Sequence, residues 1–152
     1  MSGPLKILVG TMTGTAEMVA EEVEPILADA GFDVETLDMD GLDAGVCDGK
    51  SVILICTSTY GQGDVPDNAQ GLFDDLQSTR PDLSGMRYGV IGLGDSTYAD
   101  TYNDGGRLFD ELLAGLGATR VGDRLEHNAS GDDLPEEAGA VWAKEWIAQL
   151  AR

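Results

Sequence analysis

Short apolar runs alternate with amphipathic helical patterns along the whole chain, and that alternation leaves few folds open. Strand-type runs fall at residues 5–9, 33–37, 52–57 and 88–93, with a weaker one at 119–125. Between them apolar residues recur at helical spacing. Val19, Val23, Ile26 and Leu27 do so within 16–30, and Leu72, Phe73 and Leu76 within 68–77. Leu108, Phe109, Leu112, Leu113 and Leu116 follow within 105–116, and Val141, Trp142, Trp146, Ile147 and Leu150 within 135–150. Such alternation predicts a parallel sheet covered on both faces. Residues 7–9, 52–55 and 90–91 are apolar throughout, as central strands buried on both sides should be. Right-handed crossovers then give an α/β fold, a doubly wound five-stranded parallel sheet with helices on both faces. Three local expectations accompany it. Pro25 should kink or shorten the first helix. Residues 40–48 should hold at most one short helix. Trp142 and Trp146, spaced i, i+4, should pack in the core.

Length and charge narrow the function. At 152 residues the chain is expected to be one domain spanning 1–152, with a full core. The formal net charge is −19, with only nine Lys plus Arg, so nucleic acid and anionic membrane are excluded as partners and a basic protein surface is favoured. Partner steering and a saline cell interior would both account for the acidity. No apolar run reaches the roughly 18 residues a membrane span needs. The start Met1-Ser2-Gly3-Pro4 runs straight into a strand, so no signal peptide is expected. Cys47 and Cys56 are too few for a disulfide framework or a zinc site, Cys56 reads as a small buried hydrophobe, and the cytoplasm is the expected compartment. His127, the one histidine, reads as a surface residue near Asn128. No nucleophile–base pair and no metal-ligand cluster is apparent.

In a doubly wound sheet, ligands bind beyond the carboxyl ends of the strands. The loops there carry the composition of a site. After the first strand comes Gly10-Thr11-Met12-Thr13-Gly14-Thr15-Ala16, which opens a helix. Its backbone N–H groups and hydroxyls suit an oxyanion such as a phosphate. No Lys or Arg occurs between Lys6 and Lys50, so neither a nucleoside-triphosphate loop nor a dinucleotide fingerprint is present. The loop suits one terminal phosphate held by neutral donors. After the third strand comes Thr57-Ser58-Thr59-Tyr60-Gly61-Gln62-Gly63-Asp64, and after the fourth Gly92-Leu93-Gly94-Asp95-Ser96-Thr97-Tyr98, then Tyr102-Asn103. Tyr60 and Tyr98 would flank one crevice and could sandwich a flat conjugated ring.

These three motifs, in this order at these strand ends, resemble the flavodoxin family, in particular its short-chain MioC-type members. The FMN domains of diflavin reductases share them. The resemblance extends over essentially the whole chain and implies FMN as cofactor. It implies that Thr11, Thr13 and Thr15, with backbone N–H groups from Met12 through Gly14 to Ala16, hold the phosphate. Tyr60 and Tyr98 would stack on the isoalloxazine, while Thr59, Gly61, Gly94 and Asp95 present polar groups to its edge. Ser58, Gly63, Leu93 and Tyr102 belong to the same loops, Asn103 would fix the second one, and Asp132 would lie near the ring. The acids expected around the crevice are Asp64, Asp67, Asp95, Asp100, Asp104 and Asp132. They would make an anionic reduced flavin costly and lower the potential of the second electron. Gly61 is the candidate for a peptide that turns its carbonyl toward flavin N5 on reduction.

The implied function is one-electron carriage by a monomer between a basic-surfaced flavodoxin or ferredoxin reductase and acceptor enzymes, with biotin synthesis as the acceptor pathway linked to the MioC type. The alternative is a stand-alone FMN-dependent reductase of quinones or similar small molecules, which would need a nicotinamide site for which the chain has no fingerprint. A phospho-receiver domain shares the fold but needs clustered acids where this chain has Gly10-Thr11 and Ser58-Thr59.

Overall fold

A computed structural model describes residues 3–10, 15–47, 52–58, 67–94, 104–128 and 134–150. The apolar runs become the strands β1 (Gly3–Gly10), β2 (Phe32–Asp38), β3 (Val52–Ser58) and β4 (Arg87–Gly94). The helical patterns become α1 (Thr15–Asp29), α2 (Asp67–Thr79), α3 (Asp104–Gly115) and α4 (Pro135–Leu150). All strand pairings are parallel, in the order β2-β1-β3-β4 followed by an interrupted edge. The two faces follow from the alternation of side chains along each strand. Leu5, Ile7, Val9, Leu54, Cys56, Ile91 and Leu93 pack with Val19, Val23, Ala143 and Trp146 of α1 and α4. Leu8, Ile53, Ile55, Tyr88 and Val90 pack with Leu72, Phe73, Phe109 and Leu113 of α2 and α3. Phe73 and Phe109 meet edge to face, with centroids 5.2 Å apart. Cys47 and Cys56 are both buried, and belong to cores on opposite faces of the sheet.

The fifth strand departs from expectation. Residues 119–125 do not form one strand. The chain pairs with β4 as β5 (Thr119–Arg120), leaves it, and returns as β6 (Leu125–Asn128). Between the Tyr88–Arg120 and Ile91–Leu125 pairs, β4 advances three residues while the edge advances five, so two extra residues are extruded. Gly122, at φ +72°, supplies the left-handed turn this needs.

Other expectations are corrected in detail. The first helix runs unbroken through Pro25. Pro25 and Glu21 are both exposed, so water can satisfy the carbonyl that the missing proline N–H leaves free. The short helix expected within 40–48 is present as a 3₁₀ turn, Ala44–Val46, whose cap Asp43 accepts a hydrogen bond from the Gly45 N–H at 2.9 Å. His127 is not a surface residue; it lies in β6 and is buried. Val141 fits the apolar period of α4 yet is 61% exposed, because the core-facing stripe is Gly139, Ala143, Trp146 and Leu150. Gly139 lets α4 sit against α1: a Cβ there would stand 2.7 Å from Val19 Cγ1.

Candidate functional site

Parallel register brings the carboxyl ends of the strands to one edge. Gly10 pairs with Thr57, Thr57 with Gly92, and Gly92 with Glu126. One residue further, Ser58 pairs with Leu93, and Gly94 with Asn128. Each of α1, α2, α3 and α4 begins after a segment that leaves this same edge. Their N-terminal N–H groups and dipoles therefore favour negative charge there.

The floor beneath that edge is built from small residues. A Cβ on Gly10 would lie 2.9 Å from Thr57 Oγ1, 3.0 Å from Met39 Sδ and 3.1 Å from Ala69 Cβ. A Cβ on Gly106, in the first turn of α3, would lie 3.1 Å from the Gly92 Cα. Glycine at both positions lets helices descend directly onto strand ends. Ala16, at the start of α1, is fully buried, and its carbonyl accepts the Cys56 S–H at 3.4 Å. Burial pushes the Cys56 thiol up to about 12, so it remains protonated and unreactive. Apart from Glu126, the described strand ends thus offer glycine, threonine and backbone, the donor set that suits a phosphorylated ligand held by neutral groups. A groove of about 200 Å³ does lie beside the end of β1, lined by Glu17, Glu21, Thr36 and Asp38 with Val9 and Ala20. Its three carboxylates repel phosphate.

Of the residues expected to bind, five fall within described elements. Thr15 and Ala16 open α1, Ser58 ends β3, and Leu93 and Gly94 end β4, all at the shared edge. Leu93 is buried. Thr11, Met12, Thr13, Gly14, Thr59, Tyr60, Gly61, Gly63, Asp95, Tyr98, Tyr102, Asn103 and Asp132 lie outside the described residues.

A second polar construction was not expected from the sequence. The Tyr88 hydroxyl is buried and donates to the Asp110 carboxylate of α3. The other Asp110 oxygen takes Arg120 and, at 2.8 Å, Arg124. Arg124 also pairs with Glu126 at 2.9 Å. Burial first, then the hydrogen bond and charge of Asp110, raise the Tyr88 hydroxyl far above the usual phenol range. From the opposite face Trp146 Nε1 donates to the Val121 carbonyl (3.1 Å) and Trp142 Nε1 to that of Asp123 (3.0 Å), while Arg120 Nε takes the Gly122 carbonyl (3.0 Å). Three successive carbonyls of the extruded segment are thereby satisfied by side chains. Trp146 is buried as expected and Trp142 only half so; both act as donors to the broken strand as well as packing. The sequence signal available was Asp110 beside the buried stripe of α3, with Arg120 and Arg124 close by in a chain poor in cations.

Among the described residues no group of His, Cys, Asp and Glu could hold a metal ion, and no helix is long and apolar enough to cross a membrane.

Strand order β2-β1-β3-β4 with an edge beyond β4, helices on both faces and an oxyanion-favouring carboxyl edge define the flavodoxin-like class of doubly wound proteins. A sequence model of the flavodoxin family matches residues 7–142. The chain is 39% identical over 145 residues to flavodoxin YqcA of Escherichia coli, covering 95% of this chain and 97% of that one. It is 35% identical over 146 residues to protein MioC of the same organism, covering 96% and 97%. A point mutant of flavodoxin from Pseudomonas aeruginosa superimposes with a TM-score of 0.88 at 37% identity, covering 98% of this chain and 99% of that one. The chain belongs to the flavodoxin family. Membership implies FMN as its cofactor and electron transfer as its class of function.

Proposed function

We propose that this protein carries single electrons between a basic-surfaced reductase and acceptor enzymes, as a cytoplasmic monomer, with FMN held at the carboxyl edge of the sheet. The observation that carries this reading is the convergence of Gly10, Thr15, Ser58 and Gly94 at one edge, because the three flavin-type loops hang from those anchors. Thr11, Thr13 and Thr15, with the N–H groups from Met12 to Ala16, would take the phosphate. Tyr60 and Tyr98 would cover the ring, and Thr59, Gly61, Gly94 and Asp95 its edge. FMN supplies the one-electron chemistry; the chain supplies position, exclusion of water and an acidic surround. A net charge of −19 supports steering of basic partners, and steering of that kind weakens with salt. Biotin synthesis is the acceptor pathway to test first.

The test is reduction of the FMN-loaded protein by NADPH, with and without a flavodoxin reductase. A carrier is bleached only when the reductase is present. Bleaching by NADPH alone would make the protein an FMN-dependent enzyme. Replacing Gly61 with Ala should narrow the gap between the two one-electron potentials, read by potentiometric titration; an unchanged pair would remove Gly61 from the peptide-turning role.

A further inference from the structure

Helix α4 carries a second apolar stripe that the core does not use. Leu134, Ala138, Val141 and Trp142 recur at i, i+4, i+7 and i+8, so they share one side of the helix. Leu134 keeps this period because its carbonyl accepts the Ala138 N–H at 3.0 Å, a helical i, i+4 bond. Leu134 is 51% exposed and Val141 61%; they are two of only three large apolar side chains that the described residues leave exposed, so the stripe is a patch rather than scatter. Trp142 is half-buried and held in place. Its ring stacks on buried Trp146, centroids 5.1 Å apart, and its Nε1 is fixed on the Asp123 carbonyl. A tryptophan fixed beforehand loses little freedom when a partner covers it. The rim is acidic. Glu137, Glu145 and Asp123 are exposed there, against one exposed cation of the helix, Lys144. Arg124 is already committed to Asp110 and Glu126. A second copy of a chain with net charge −19 would set like charge against this rim, so the complementary surface is basic.

We propose that this outer stripe of α4 is the docking face for the reductase, whose matching surface is apolar at its centre and ringed by Lys and Arg. The proposal rests on the electron-carrier reading above and adds to it the place where the reductase sits. Its apolar centre covers Leu134, Val141 and Trp142, and its cations face Glu137, Glu145 and Asp123. The acidic rim speeds encounter, and the apolar stripe holds the complex once formed. From Leu134 to Trp142 the stripe is about 12 Å long, at 1.5 Å of rise per residue. It occupies the half of α4 nearest the carboxyl edge of the sheet, where that helix begins. A partner seated on it therefore lies beside the edge through which electrons would pass.

The experiment measures KM and kcat for reduction of the FMN-loaded protein by an NADPH-dependent flavodoxin reductase. The variants are Leu134→Ser/Val141→Ser, Glu137→Lys/Glu145→Lys, and two controls. Serine at 134 is a good helix cap, so the start of α4 is not weakened. Met18→Ser removes an apolar side chain that is 49% exposed, but on α1. Asp33→Lys/Glu35→Lys makes the same charge change on exposed residues of β2, at the far edge of the sheet. The expected result is a KM raised about tenfold by the apolar pair, with kcat within about twofold. Glu137→Lys/Glu145→Lys should raise KM similarly at low salt and flatten its salt dependence, while each control changes KM less than about threefold. A KM unchanged by the apolar pair, or raised as much by Met18→Ser, overturns the proposal. If the apolar pair does not fold, the charge variants carry the test, and equal effects on α4 and β2 overturn it. A dimer in sedimentation velocity that Leu134→Ser/Val141→Ser dissociates would give the face to a second copy and also overturn it. If the unaltered FMN-loaded protein takes no electrons from the reductase, the carrier reading itself fails, and the docking face with it.

Discussion

The carboxyl edge of the sheet and its broken fifth strand are built from opposite materials. At the edge, Gly10, Thr57, Gly92 and Gly106 bring backbone close to backbone, and Arg124 meets that floor beside Gly106 through its Cδ. At the fifth strand, Tyr88, Asp110, Arg120, Arg124, Trp142 and Trp146 surround two extruded residues with donors and acceptors. The difference separates two tasks. A strand interruption leaves backbone groups without ladder partners, so polar side chains gather there for stability. A ligand edge must leave its backbone donors available and its space open. Titratable groups alone would have pointed to the wrong region, since the densest polar network in the described structure is structural.

Variants can break this division. The largest effect should come from Asp110→Ala, which leaves Tyr88, Arg120 and Arg124 without their shared carboxylate. We expect a loss of about 3 kcal/mol or more in urea denaturation, lessened by the partial exposure of both arginines. FMN affinity of the folded fraction should stay within about twofold, because only Arg124 of this network reaches the carboxyl-edge floor, beside Gly106. A large loss of affinity would mean that the two regions are coupled. Trp146→Phe removes the donor to the Val121 carbonyl and should cost about 1–3 kcal/mol, again without change in FMN preference.

Alkaline pH gives a smaller, graded effect. The Cys56 pKa is raised on folding, from 9.0 to about 12. Its contribution is therefore fully present below pH 9 and is lost as pH rises toward 12, because only the unfolded chain ionises there. Cys56→Ala should flatten that decline in denaturation midpoints measured at successive pH values; an identical decline would locate it elsewhere, with Tyr88 the next candidate since its pKa is raised too. The smallest effect is a gain. Gly71→Ala should stabilise the protein by about 0.5–1 kcal/mol, since a helical glycine with no neighbour carries only an entropic penalty.

The sequence made the sheet legible because buried parallel strands are written as unbroken apolar runs and their helices as periodic ones. It failed at the fifth strand because 119–125 carries only a weak apolar signal, and the side chains that hold its break come largely from α3, α4 and β4. His127 looked like a loop residue because β6 has only four residues and resumes pairing after the interruption. Pro25 does not shorten α1, because its penalty depends on exposure, which composition does not encode. The candidate site was legible through loop composition at strand ends. The demand for glycine at position 10 was not, because it comes from Met39, Thr57 and Ala69, all distant in sequence.

The central claim, that the carboxyl edge is an FMN site reading both phosphate and ring, is tested most directly by titrating the apo-protein with FMN, riboflavin and FAD while following flavin fluorescence. Tight FMN binding with quenched emission and much weaker binding of riboflavin is the expected result. Riboflavin binding as tightly as FMN would contradict the phosphate loop, and no quenching on FMN addition would contradict the site.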